Sequence, residues 1–419
     1  MSNYPTTHRE SKNHKYNYWK NKPVIRTDNM NKRGQIEDIT KRKLYTSPDP
    51  INLNMLEWHT VDFNNNEDVE PVIDFINSNY VTNTRNKFRL YYTSESVKWA
   101  LGDGSLVVIK LGSNIVGTVG YTIRDMVVEQ FTEKFGEVNF LCVHKKYRSS
   151  YKNKNVNNKK KSNKKKQYLV HVLIDDAIRR IYNEGGRQGL FTTTKYIPTP
   201  TTTFRYFHRP LNYRKLHEHG HTILEGDVDS IHRRFTDKTE PMDYYHVAEK
   251  EHLKTILSLY NEYMKKFNVY VKYSLKELEH YLFNDYTRTY VMKDKTGKIV
   301  DFVSYYITYQ SITGSDEKIK NANLFLYSCI KEDIQILAPN VIRLILRDTD
   351  CDVFTVTDST DNSDFLLSNK IYPDEDSDCE DVQKAYDHKF FKGTGKSYLN
   401  FFNFGTSRMH SGQVCWTSL

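Results

Sequence analysis

Residues 137–149, Glu-Val-Asn-Phe-Leu-Cys-Val-His-Lys-Lys-Tyr-Arg-Ser, constrain the fold more than any other stretch of the chain. They open as an apolar, β-branched run, Val138 to Val143, that reads as a buried strand. They close in a basic, hydroxyl-bearing block, His144 to Ser149. Further on, Leu169, Val172, Leu173, Ile178 and Ile181 keep close to helical spacing and predict a helix over Tyr168 to Tyr182. A strand, a basic turn and a helix N-terminus, in that order, are how an α/β unit builds a phosphate cradle. The first-turn N–H groups and the positive end of the helix dipole both point at the anion. On pattern alone, a solvated turn holding a few lysines stands beside that reading.

The rest of the chain repeats a layout rather than a sequence. A helical period over Asp68 to Tyr80 precedes a hairpin, Leu106 to Leu111 and Ile115 to Ile123, turned at Gly112-Ser-Asn114. Helices at Val247 to Phe267 and Ser274 to Phe283, the latter opened by a Ser274/Glu277 capping box, precede a second hairpin, Thr289 to Met292 and Ile299 to Tyr309. A helix over Asn340 to Arg347 leads into a strand, Cys351 to Val356, and Pro373 to Asp381 reads as an acidic surface loop. Two α+β units of similar layout are expected. Tyr151 to Gln167 holds eight lysines, no acidic residue and a single apolar one, Val156, so its composition predicts a disordered insert. It also accounts for nearly all of the formal charge of +9, leaving about +1, which argues against a nucleic-acid-binding surface. The five cysteines are scattered without Cys-x-x-Cys spacing, so neither a disulfide framework nor a zinc site is expected. No signal core or membrane-length apolar run is present, which predicts a reducing, cytoplasmic setting. The Met-Ser start is not of the myristoylated Met-Gly type.

The 137–149 stretch closely resembles the signature of the glycylpeptide N-tetradecanoyltransferases, the N-myristoyltransferases. Further segments carry the resemblance in order: Tyr16-Asn-Tyr-Trp-Lys-Asn-Lys-Pro-Val24, then Asn79-Tyr-Val81 with Phe88-Arg89 and Trp99-Ala-Leu101. Ile197-Pro-Thr-Pro200, Arg205-Tyr-Phe-His-Arg209, Leu211-Asn212 and Arg214-Lys-Leu216 follow. Lys389 to Phe404 resembles the family's C-terminal glycine signature, with Gly393-Thr394-Gly395 where the family has Gly-Asp-Gly.

The resemblance implies an α+β fold of two tandem GNAT-like halves around mixed β-sheets. Residues 1–45 would be an arm on the acyl-CoA, 46–235 an acyl-CoA-binding lobe, and 236–419 a peptide-binding lobe with a catalytic C-terminus. The implied reaction transfers myristoyl from myristoyl-CoA to the N-terminal glycine amine of proteins by direct attack on the thioester, with no metal and no cofactor beyond the co-substrate. By resemblance the oxyanion hole falls on the backbone N–H groups of Phe140 and Leu141. Mid-strand donors are free for this only where a bulge releases them from the ladder. The base would be the terminal carboxylate of Leu419, whose ordinary pKa of ~3.5 burial would raise. The apolar finish Val414-Cys-Trp-Thr-Ser-Leu419 is compatible with that.

Acyl-CoA contacts map onto Tyr16, Asn17, Tyr18, Trp19, Phe140, Leu141, Val143, Arg148, Ser149, Lys165 and Lys166. Peptide contacts map onto Tyr80, Phe88, Tyr92, Asn139, Thr192, Tyr206, His208 and Gly393. The implied partners are myristoyl-CoA and proteins or nascent chains with an N-terminal glycine, and a monomer is expected; the lysine-rich insert suggests a place near ribosomes. Two departures bear on this. The insert falls inside the family's phosphate loop, and acids are lost both after Asn-Tyr-Val, at Thr82, Asn83, Thr84 and Arg85, and at Thr394, which predicts a weakened or altered preference for basic peptides. Three alternatives stay open: a Cys142/His144 nucleophile pair sharing a strand face, a degenerate acyl-CoA-binding protein, and a transferase of another acyl group.

Overall fold

The two expected hairpins are the centres of two copies of one layout in the computed structural model, which describes residues 4–26, 29–53, 55–81, 87–148, 168–236, 239–366 and 389–417. The first copy runs β1 (Glu57–Thr60), α1 (Asn66–Asn79), β2 (Phe88–Tyr91), α2 (Ser94–Leu101), β3 (Ser105–Leu111), β4 (Asn114–Val128), β5 (Phe131–Val143), α3 (Leu169–Asn183) and β6 (Gln188–Thr193), followed by β7 (Thr202–Pro210). The second runs β8 (Tyr245–Val247), α4 (Leu253–Met264), β9 (Val269–Val271), α5 (Leu275–Leu282), β10 (Thr287–Lys293), β11 (Ile299–Ile312), β12 (Lys318–Tyr327), α6 (Ile334–Asp348) and β13 (Val353–Thr357), followed by β14 (Phe391–Phe402). Element for element the order is the same.

These strands form one 14-stranded mixed sheet along the path β1-β3-β4-β5-β6-β14-β7-β13-β12-β11-β10-β8, with β9 added to β4 and β2 added to β11. The halves therefore exchange strands reciprocally. Strand β14 of the second half pairs with β6 of the first, β7 of the first pairs with β13 of the second, and the short β2 and β9 each cross over. Within each half most neighbours are antiparallel, except for one short parallel pair: Phe135–Glu137 against Gln188–Leu190, and Asn321–Asn323 against Val353–Thr355. Past those residues the strands diverge.

Local sequence explains most elements. Leu169, Leu173, Ala177 and Ile181 form the stripe by which α3 covers β4 and β5. The Ser274/Glu277 capping box is present at the start of α5. Helix α4 begins at Leu253, later than the spacing predicts, because Tyr245–Val247 pair with β10 as an edge strand and a capped 3-10 turn, Lys250–His252, intervenes. Helix α6 begins earlier than predicted, at Ile334, where the Asp333 side chain accepts from the Gln335 N–H. Strands β1, β2, β6 to β9, β12 and β14 and helix α2 have no counterpart in the sequence reading. Among the described residues no helix is long and apolar enough to cross a membrane. Ser149, the insert 151–167 with Lys165 and Lys166, Thr82 to Arg85, the acidic segment 373–381 and Leu419 lie outside the described residues.

Candidate active site

The site begins as an interruption in the β4–β5 ladder. Gly120 faces Asn139 and Thr118 faces Cys142, so Phe140 and Leu141 together stand opposite Val119 alone. Two residues against one is a β-bulge. Phe140 meets it with φ +50°, a left-handed conformation that is costly for a bulky side chain. Packing holds it there. The Phe140 ring is buried in the main core between the halves, edge-on to Tyr92, and its carbonyl accepts from Thr118 Oγ1 at 2.8 Å. The Phe140 N–H faces the Tyr80 hydroxyl.

The bulge lies where β5 and β6 part, and the opening is a cavity of about 540 Å³. Val138, Asn139 and Leu141 form one wall and Phe191 to Thr194 the facing one. One part of its lining, the apolar arm, comes from Ile178, Ile181 and Tyr182 of α3 together with Phe402, Ile39, Trp19, Gly186 and Arg187. The other passes Tyr80, Tyr92, Ser96 and Trp99 to Tyr286, Tyr306, Tyr309, Asn323 and Ser397, between the halves. Arg187 is the single charged side chain among the described residues that line it. Burial raises the phenols along the second arm, that of Tyr80 to about 12 and that of Tyr92 well above its ordinary value, so they remain neutral hydrogen-bonding groups.

A charge pair underlies the bulge. Arg124 Nε donates to Glu137 Oε2 at 2.9 Å with both side chains almost fully buried, and Arg124 lies 4.8 Å from the Tyr281 ring. The other Glu137 oxygen accepts from Asn139 Nδ2 at 2.7 Å, which orients that amide at the cavity wall. The C-terminal segment comes to the same place. Val414 bridges to Val269, the Cys415 N–H donates to the Val269 carbonyl at 2.8 Å, and Trp416 is buried. Trp416 and Thr417 line a void of about 20 Å³ together with Arg124 and Glu137.

Of the candidate residues, Trp19, Tyr80, Tyr92, Asn139, Leu141, Thr192 and Tyr206 line the cavity. Tyr16 and Tyr18 instead fasten the arm. Tyr16 donates to the Tyr196 carbonyl at 2.9 Å, while Tyr18 stacks on His171 at 3.9 Å in the first turn of α3 and donates to Asp175 Oδ1 at 2.8 Å. Asn17 is exposed and Val143 is buried under α3. Arg148 Nε donates to the Val143 carbonyl at 2.9 Å, and its Nη2 to that of Asn79. Phe88 packs with Leu216, Ile312 and Ile319 in a separate cluster. His208 hydrogen-bonds Thr355 Oγ1 at 2.9 Å, and burial lowers its pKa to about 4. Gly393 lies against it: a Cβ there would stand 2.7 Å from His208 Nε2. Gly393 to Gly395 bulge out of β14, facing Tyr206 alone.

The Cys142/His144 pair is not assembled. Burial pushes the Cys142 thiol up to about 11 and its hydrogen-bonding neighbour is Arg148, whereas His144 Nδ1 accepts from the Lys146 N–H at 3.2 Å and its ring stacks on Phe75. Cys142 is a small core residue. Ser96, Tyr286, Tyr306, Tyr309 and Asn323 escaped the sequence reading. The tyrosine-dense run Tyr305 to Tyr309 was the available signal, but strand alternation alone cannot say which face a cavity occupies.

The family model described as myristoyl-CoA:protein N-myristoyltransferase, N-terminal domain, matches residues 35–204, and the corresponding C-terminal domain matches 232–378. The glycylpeptide N-tetradecanoyltransferase of Kluyveromyces lactis is 26% identical, covering 89% of this chain and 86% of that one. That of Plasmodium falciparum is 27% identical, covering 83% and 84%. A crystal structure of Saccharomyces cerevisiae N-myristoyltransferase with bound myristoyl-CoA superposes with a TM-score of 0.79 at 23% identity, over 95% of this chain and 94% of that one.

Proposed function

The chain belongs to the myristoyl-CoA:protein N-myristoyltransferase family, and on that premise we propose that it moves a myristoyl group from myristoyl-CoA to the N-terminal glycine amine of a protein, with the bulge at Phe140 and Leu141 as its oxyanion hole. The observation that carries the reading is that bulge, opening into a two-armed cavity. An acyl chain in the apolar arm along α3 and a peptide in the tyrosine-lined arm would meet at Asn139, Leu141 and Thr192.

The ammonium of the glycine first gives a proton to a base, for which we take the terminal carboxylate of Leu419; the buried Val414 and Trp416, the latter sharing a void with Glu137, support that choice. The free amine then attacks the thioester carbon. Negative charge builds on the carbonyl oxygen, where the backbone N–H groups of Phe140 and Leu141 stabilise it in a site with little water. Collapse breaks the C–S bond and forms the amide. The proton lost from nitrogen leaves with the CoA thiol. Asn139, held by Glu137, and Thr192 position the amine. We further take the protein to act as a monomer in the cytoplasm on nascent chains, near ribosomes. The peptide arm, free of carboxylates among the described residues, supports a weakened or altered preference for basic peptides.

The test is CoA release from myristoyl-CoA with octapeptides beginning in Gly, Ala or acetyl-Gly. Release with free Gly alone is expected. Tight acyl-CoA binding without release from any peptide refutes the transfer and leaves a binding protein.

A further inference from the structure

The apolar lining along α3 includes one charged side chain, beside the half-buried Tyr182. Arg187 stands there, immediately before β6 and five residues ahead of Thr192, which at ~3.3 Å per strand residue is about 16 Å from the proposed reacting centre. Its guanidinium lies 4.2 Å from the Tyr182 ring centroid, and Nη1 donates to the carbonyls of Tyr182 at 3.0 Å and Gly186 at 3.1 Å. Its own carbonyl accepts from Asn403 Nδ2 at 3.0 Å, and Asn403 is fully buried at φ +57°. Arg187 and Tyr182 are each half-buried, so one side of the pair meets the cavity and the other meets solvent. Up to this point Ile178, Ile181 and Phe402 offer the arm a hydrocarbon wall. A chain that ends against Ile181 leaves the guanidinium its water and its carbonyl partners. A longer one must strip or displace it, which is unfavourable for a charged group.

We propose that Arg187, stacked on Tyr182, is the stop of the acyl arm and sets the length of chain the protein accepts, a specificity role that rests on the acyl-transfer reading. Without the guanidinium the arm joins solvent, and a longer chain threads out past Tyr182.

The test compares kcat/KM for lauroyl-, myristoyl- and palmitoyl-CoA with one glycine peptide, in the full chain and in Arg187→Ala and Arg187→Met. The palmitoyl-to-myristoyl ratio should rise roughly tenfold or more in Arg187→Ala, the discrimination that a methylene commands in a fitted pocket. A smaller rise is expected in Arg187→Met, whose flexible apolar end moves aside at less cost than a guanidinium. An unchanged ratio in whichever variant folds overturns the proposal. If the wild-type chain turns over no acyl-CoA at all, the transfer reading fails separately. The stop is then read from the dissociation constants of the three acyl-CoAs, followed by quenching of tryptophan fluorescence, since Trp19 and Trp99 line the cavity. A raised palmitoyl-to-myristoyl affinity ratio in Arg187→Ala supports it, and equal ratios overturn it.

Discussion

The two halves carry the same bulge, and among the described residues only the first opens into a large cavity. In the second half Val303 faces Tyr327 and Tyr305 faces Leu324, so Phe325 and Leu326 stand opposite Ser304 alone, as Phe140 and Leu141 stand opposite Val119. Even the bulged residues match, Phe-Leu in both. The residue across the ladder differs. Ser304 Oγ accepts from the Leu326 N–H at 3.0 Å and donates to the Leu326 carbonyl at 2.8 Å, so the second bulge is satisfied internally. Val119 has no hydroxyl to offer. In the first half the neighbouring Thr118 binds the Phe140 carbonyl, and Phe140 adopts the left-handed turn absent at Phe325. The spaces differ as well, about 540 Å³ beside the first bulge and about 20 Å³ beside the second, the latter shared with Arg124, Glu137 and Trp416; the Tyr327 hydroxyl, next along the strand, is tied to Thr360 at 2.7 Å and Asn362 at 2.8 Å. A bulge at the splay is thus a property of the repeated layout. The proposed site has, in addition, an opposing residue without a hydroxyl and strands that stay apart.

That contrast breaks most severely at the charge pair. At the register position of Glu137 the second half has Ala322, so only the first half keeps a buried ion pair beneath its bulge. Arg124→Met leaves the Glu137 carboxylate buried and uncompensated. A loss of ~3–5 kcal/mol in urea-unfolding stability is expected, and a loss below ~1 kcal/mol would show that the pair is dispensable. Val119→Ser transplants the second half's plug into the first. If the hydroxyl captures the Leu141 N–H as Ser304 captures that of Leu326, single-turnover acyl transfer should fall by ~10²–10³, the weight of one oxyanion donor. Transfer at the wild-type rate by a folded variant would remove that donor from the mechanism. The converse change, Ser304→Ala, strands a buried N–H and should cost ~1–3 kcal/mol of stability, measured by thermal or urea melting, with the acyl-chain profile untouched. Smallest of all, Cys142→Ala should retain turnover and lose only the stability of a small core side chain. Abolished turnover in a folded Cys142→Ala protein would revive a thiol nucleophile.

Individual residues show where the sequence was informative. Asn139, Leu141 and Tyr80 lie in segments that form the signature, and with the looser matches Thr192 and Tyr92 they meet at one cavity. Phe88 and His208 were named on the same grounds, yet Phe88 packs in another cluster and His208 backs Gly393 behind the wall, since strand alternation alone does not tell which face is hollow. The tyrosines of β11 were legible as a strand and invisible as a wall. They become one only through β2, a first-half strand that pairs with Tyr309 to Ile312.

By itself the sequence determined what depends on near neighbours: the helical stripe of α3, the β-branched run of β5, the capping box of α5, the local origin of the net charge and the family signature. Each is written in residues a few positions apart, within reach of one turn or one pleat. The tertiary structure decided what depends on partners far along the chain. It alone set the exchange of β7 and β14, the parting of β5 and β6, the left-handed turn at Phe140, and the difference between Val119 and Ser304. Register across a ladder is a contact between remote residues, and no local pattern records which side chain will stand opposite a bulge.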